Sequence, residues 1–172
     1  MKAIWRAALC VMVLGSAAAA ETLPSVGVMA DAGLPDGAMA SIVYRPFNAL
    51  RLHAGVGNNA ISTGVRAGFT LVPFKSVVTP TLSFDYGHYP EGDANPIVER
   101  FFGDEYSAEM LEHIGYDFAN AHLGFAFGRK RATFYVQGGM SRTTATLHDD
   151  STTVNLTMWS PSARIGLVVY FL

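Results

Sequence analysis

The chain has 172 residues, half of them apolar and 15% charged, with a formal net charge of −2. A surface wholly in water usually carries about 25–35% charged residues with both signs mixed, so this chain is thinly charged for a soluble protein. A single cysteine excludes a disulfide framework within the chain, and an acidic balance without a basic patch excludes a nucleic-acid partner.

The first 20 residues read as a secretory signal. Lys2 and Arg6 form a positive n-region, residues 7–14 are a short apolar run, and Ala17-Ala18-Ala19-Ala20 offers the small-x-small pattern, with cleavage expected between Ala20 and Glu21. The apolar run is too short to anchor in a bilayer. Cys10 lies within it, so the remaining domain, residues 21–172, has no thiol. Removing Lys2 and Arg6 from the 12 basic residues leaves 10 against 14 acidic ones, and only two lysines remain, Lys75 and Lys130. No later run reaches the roughly 18 apolar residues of a transmembrane helix.

From residue 25 onward the dominant period is two, which predicts strands. Residues 25–33 and 38–46 are strand-like. In 49–57, Leu50, Leu52, Ala54 and Val56 oppose Arg51, His53, Gly55 and Gly57. In 61–71, Ile61, Val65, Ala67, Phe69 and Leu71 oppose Ser62, Gly64, Arg66, Gly68 and Thr70. In 77–88, Val78, Leu82, Phe84 and Tyr86 oppose Thr79, Thr81, Ser83, Asp85 and Gly87. Residues 115–128 and 132–147 follow, and the last segment sets Ala163, Ile165, Leu167, Val169 and Phe171 against Arg164, Gly166, Val168 and Tyr170. That makes eight predicted strands. Pro80 and Pro161 fall inside two of them and predict a strand start or a bulge, because proline removes a ladder donor.

Alternation alone fits both a soluble barrel and its inside-out counterpart. The polar face decides between them. It carries Gly, Ser and Thr with a few Arg and Asp and no Lys, which suits a narrow interior filled by side chains better than a water-facing surface. The Leu, Val, Ile and Phe face then becomes a lipid-facing band. A closed barrel leaves no unpaired edge in hydrocarbon.

The connections sort by charge. The even-numbered ones carry Arg45, Lys75, Arg129, Lys130 and Arg131. The odd-numbered ones carry Asp36, Glu91, Asp93, Glu99, Asp104, Glu105, Glu109, Glu112, Asp149 and Asp150, with Arg100 as the one base. The longest connection, about 89–114, is on the odd side. Periplasmic termini and turns with extracellular odd loops fit this pattern. Tyr44, Phe47, Phe69, Phe74, Phe127, Phe134 and Phe171 fall toward one end, and Phe84, Tyr86, Tyr116 and Trp159 toward the other, as two interfacial belts would.

On this patterning, residues 25–172 resemble the small eight-stranded outer-membrane barrels, such as the OmpA transmembrane domain and OmpX. The resemblance is architectural. It implies an all-β, eight-stranded, antiparallel up-and-down transmembrane barrel in the bacterial outer membrane, monomeric, in contact with outer-membrane lipid and lipopolysaccharide. Ile165, Leu167, Val169 and Phe171 look like the C-terminal strand by which the barrel-assembly machinery recognises such proteins, although Leu172 follows the aromatic.

Three groups are candidates for function. Arg51, Arg66, Asp85 and Arg164, with Asp31, Asp117 and His53, are expected to share the interior as a charge ladder that plugs the lumen, since buried charges must pair. The acidic loop Glu91, Asp93, Glu99, Asp104, Glu105, Glu109 and Glu112 is a possible cation or partner contact, although no EF-hand spacing is present. The histidines His53, His88, His113, His122 and His148 and serines Ser62, Ser83, Ser107, Ser141 and Ser151 match no nucleophile–base spacing, so no catalytic residue and no cofactor is expected. The leading expectation is a structural or surface-interaction barrel. The alternatives are a secreted soluble β-barrel binding a small ligand and a lipid A-modifying outer-membrane enzyme.

Overall fold

The computed structural model of the chain describes residues 25–74, 76–95, 99, 114–129, 131–149 and 152–171. They form eight strands: β1 (Val26–Leu34), β2 (Gly37–Phe47), β3 (Leu50–Asn58), β4 (Thr63–Leu71), β5 (Val78–Gly92), β6 (Ile114–Arg129), β7 (Ala132–Asp149) and β8 (Thr152–Tyr170). Each pairs antiparallel with its neighbours in sequence, and β8 pairs back onto β1 to close the barrel. All eight predicted segments are strands, with the inward and outward faces of β3, β4, β5 and β8 as the alternation assigns them.

The register fixes the barrel's dimensions. Ala30 pairs directly with Leu167, but followed round the barrel through Ala40, Val56, Val65, His88, Asp117 and Thr144 it arrives at Thr157, a stagger of ten residues. Eight strands with that stagger tilt by about 40° and enclose a backbone cylinder of roughly 8 Å radius, which side chains can fill. On the same geometry the outward apolar side chains, from Phe47 and Phe171 at one end to Leu34 and Pro161 at the other, cover a band about 25 Å tall. Leu123 on β6 and Val136 on β7 lie near its middle.

Burial is inverted relative to a soluble protein. The least exposed side chains include Arg66, Asp36, His122, Ser83 and Ser141, whereas Ile42, Phe47, Leu123, Phe125 and Ile165 are exposed. Inside, two apolar layers bracket the polar middle. Met29, Val43, Ala126, Tyr135, Val168 and Tyr170 fill the end where β1 begins and β8 ends. Met39, Tyr89 and Phe118, with Tyr116 packed against them, fill the other. The Tyr89 ring stacks on Tyr116 and Phe118 at centroid distances of 5.1 and 5.9 Å. Gly87 makes room for this layer, since a Cβ there would sit 2.2 Å from the Phe118 ring.

The structure corrects several expectations. Strand β8 begins at Thr152, well before the alternation that starts at Ala163, and pairs with β7 as far as Asp149↔Thr152. The β7–β8 hairpin therefore rises well beyond β1, whose last partner on β8 is Ala163. Strand β4 begins at Thr63 rather than Ile61, because Asn59 Oδ1 accepts the backbone N–H groups of Ile61 and Ser62 and holds them in the turn. Pro80 and Pro161 are not at bulges. They lie beyond the ends of β4 and β1, where one side of the strand has no ladder partner and tolerates a missing N–H. The register shifts fall instead between Tyr44 and Phe47 and between Tyr89 and Gly92, around Pro46 and Pro90.

Candidate functional site

The polar middle layer is one connected network centred on Arg66. Its guanidinium donates to Asp36 Oδ2 at 2.8 Å and to Asp31 Oδ2 at 2.6 Å, and its Nε lies 3.9 Å from Asp85. Asp85 in turn accepts from His53 Nε2 at 2.5 Å and lies 3.0 Å from Arg164 Nη2 and 3.6 Å from His122 Nδ1. Arg164 donates to Gln137, whose amide reaches Thr81 and Ser83. Tyr135 donates to Asp31, and Asn120 donates to Asp36. Every strand contributes except β2, and the β1–β2 turn supplies Asp36.

Of the four charges predicted for the interior ladder, Arg66, Asp85 and Arg164 come together. Arg51 does not join them. Its guanidinium lies lower in the barrel, 6.0 Å from the Tyr170 ring, with no carboxylate in reach among the described residues. Asp31 and His53 belong to the network as expected. Asp117 does not: it faces outward on β6 and is bonded by Tyr86 and His88, each at 3.0 Å. The β6 alternation points Tyr116, Phe118 and Asn120 inward and so puts Asp117 outside. Tyr116 accordingly leaves the outer aromatic belt.

Two charges assigned to connections lie inside instead. Asp36, read as an exterior turn acid, is 1% exposed, because the short β1–β2 hairpin tucks its turn into the barrel mouth. Tyr89 donates to its backbone carbonyl. Arg45 is buried within β2, its guanidinium 3.7 Å above the Tyr170 ring. The acidic loop is described only in part. Glu91 and Glu99 are exposed, and Asp93 is exposed and accepts the Asn95 N–H. Asp104, Glu105, Glu109 and Glu112 lie outside the described residues, as does the signal segment. Among the described residues no group of His, Cys, Asp or Glu is arranged to hold a metal ion.

One arrangement escaped the sequence reading altogether. Ser162 Oγ lies 2.7 Å from His122 Nε2, and His122 Nδ1 faces Asp85. The order resembles a nucleophile–base–acid triad. The hydrogen bonds point the other way, however. Ser162 directs its hydroxyl proton to the Leu34 carbonyl at 2.5 Å, so it accepts from His122 Nε2 and the imidazole has no free lone pair there to take the proton. All three side chains are buried under the aromatic layer.

No protein-family model matches the chain, and no curated protein matches it. Among solved structures, the crystal structure of Acinetobacter baumannii CarO2 is similar over 88% of this chain and the whole of that one, at 11% identity and a TM-score of 0.37. A likeness this distant carries no argument, and the assignment of an eight-stranded closed antiparallel barrel rests on the strand pairing itself.

Proposed function

We propose that the chain is a bacterial outer-membrane barrel of structural or surface-interaction role, exported by its N-terminal signal, with periplasmic termini and an interior closed to diffusion by its own side chains. The observation that carries this reading is the inverted burial. A band of Leu, Val, Ile and Phe faces outward while Arg, Asp, His and Asn are enclosed, which is unfavourable in water and favourable in a bilayer. A secreted barrel holding a small apolar ligand needs the opposite arrangement. The closed interior is supported by the two apolar layers above and below the ion-pair network.

The orientation is supported by the outer surface. Phe47, Phe74, Phe127, Phe134 and Phe171 ring the end with the short connections. At the other boundary Trp159 and Tyr86 are exposed beside the Arg142 cation and the His88–Asp117 pair. Amphipathic and charged side chains in a row with aromatics suit a headgroup region, here of lipopolysaccharide. The C-terminal alternation of β8 supports recognition by the barrel-assembly machinery. No catalytic role is proposed.

The reading predicts that the protein fractionates with the outer membrane and migrates differently on a gel before and after boiling. Refolded into a planar bilayer, it passes no steady current. Folded protein recovered from the soluble periplasm without detergent would overturn the membrane assignment, and a stable conductance would overturn the closed interior.

A further inference from the structure

The interior charges do not balance by height. Asp31, Asp36 and Asp85 all belong to the middle network around Arg66 and Arg164. Below it, Arg45 and Arg51 have no carboxylate within ion-pair distance among the described residues; they have only the Tyr170 ring. Among the described residues four guanidinium groups therefore share the interior with three carboxylates, and the surplus positive charge lies in the lower half. Arg45 is buried and Arg51 partly buried, and a charge drawn out of water without a counter-charge is costly, so an anion is favoured beside them.

The same place holds unsatisfied donors and a small space. Arg164 is 3% exposed, and its Nε and Nη1 have no hydrogen-bond partner, nor has Arg51 Nε. Arg51, Arg164, His53, Thr70 and Thr81 line a cavity of about 10 Å³. That is about the least that one water molecule needs, and a halide, a few tenths of an ångström larger in radius, enters with an outward shift of the partly exposed Arg51 side chain. No carboxylate lines the cavity. Thr81 Oγ1 already accepts from Gln137, so its own hydroxyl proton is available to an occupant.

We infer that this cavity is a binding site for one small inorganic anion of halide size, held between Arg51 and Arg164. A water molecule could satisfy some of the free donors. It would leave the surplus charge in place, and the anion answers both needs at once. The inference rests on the barrel's interior and not on where the barrel resides.

The test uses the refolded protein in micelles, first in sodium gluconate, whose anion is too large for the cavity. Replacing gluconate by chloride or bromide at constant ionic strength should raise the thermal midpoint by a few degrees for each tenfold increase in halide. Arg51→Gln should lose that dependence, whereas a general salt effect would persist in the variant. Crystals of the unaltered protein grown in bromide give a second readout that does not depend on the variant folding. An anomalous peak between Arg51 and Arg164 is expected. Equal midpoints in chloride and gluconate, a halide effect undiminished in Arg51→Gln, or an interior without the bromide peak would each overturn the site and leave water as its occupant.

Discussion

Arg66→Met should destabilise the barrel by about 3–5 kcal/mol, the cost of leaving enclosed carboxylates without their cation. Arg66 is 2% exposed and binds Asp31 and Asp36 while approaching Asp85. Methionine occupies similar space, so the loss reports charge and hydrogen bonding more than packing. The cost should not be additive. Adding Asp31→Asn and Asp36→Asn to Arg66→Met removes the stranded charges and should recover part of the stability, as expected for residues in one network. Urea unfolding of the protein refolded into vesicles measures both variants. A loss below about 1 kcal/mol for Arg66→Met, within the range of an exposed ion pair, would mean that the network is hydrated rather than enclosed.

The second large effect concerns the outer face. Leu123 is 69% exposed and lies near the middle of the apolar band. On a soluble protein, Leu→Arg at such an exposed site changes stability by no more than about 0.5 kcal/mol. At the midplane of a bilayer the same change costs about 2–4 kcal/mol. Thr157→Arg, on the part of the β7–β8 hairpin that rises beyond the band, should cost almost nothing in either setting. Leu123→Arg as harmless as Thr157→Arg in vesicles would place the apolar face outside the hydrocarbon.

The barrel itself was legible because its alternation has to hold on every strand. One slipped residue would turn Leu50, Leu52 and Val56 inward and Arg51 and His53 outward, so the pattern in β3 declares its own faces. The interior ion pairs were legible only as a set. Arg66, Asp85 and Arg164 share the polar face, but their meeting depends on the stagger of ten, which no single strand encodes. Asp36 was misplaced because Leu34-Pro35-Asp36-Gly37 has the chemistry of an exposed turn, and only the shortness of β1 and β2 brings that turn inside. Asp117 was misplaced because β6 alternates Ala, Phe and polar residues on both faces near its start. The first half of β8 was missed for a related reason. Residues 155–159 are exposed on both faces, so the segment has no buried side to reveal a period. The Arg51 site and the Ser162–His122 contact come from side chains on different strands and leave no local trace in sequence.

Trp159 is the one tryptophan beyond residue 20, which allows the lipid-facing side of the barrel to be tested by fluorescence. Leu123→Trp in a Trp159→Phe background should place the sole tryptophan at the middle of the hydrocarbon. Refolded into vesicles of lipids brominated along the acyl chain, this variant should show blue-shifted emission, quenched most by the deepest bromines. The unaltered protein should be quenched most by the shallowest. Water-like emission from Leu123→Trp, unquenched by bromines at any depth, would contradict a barrel that turns its apolar face to lipid.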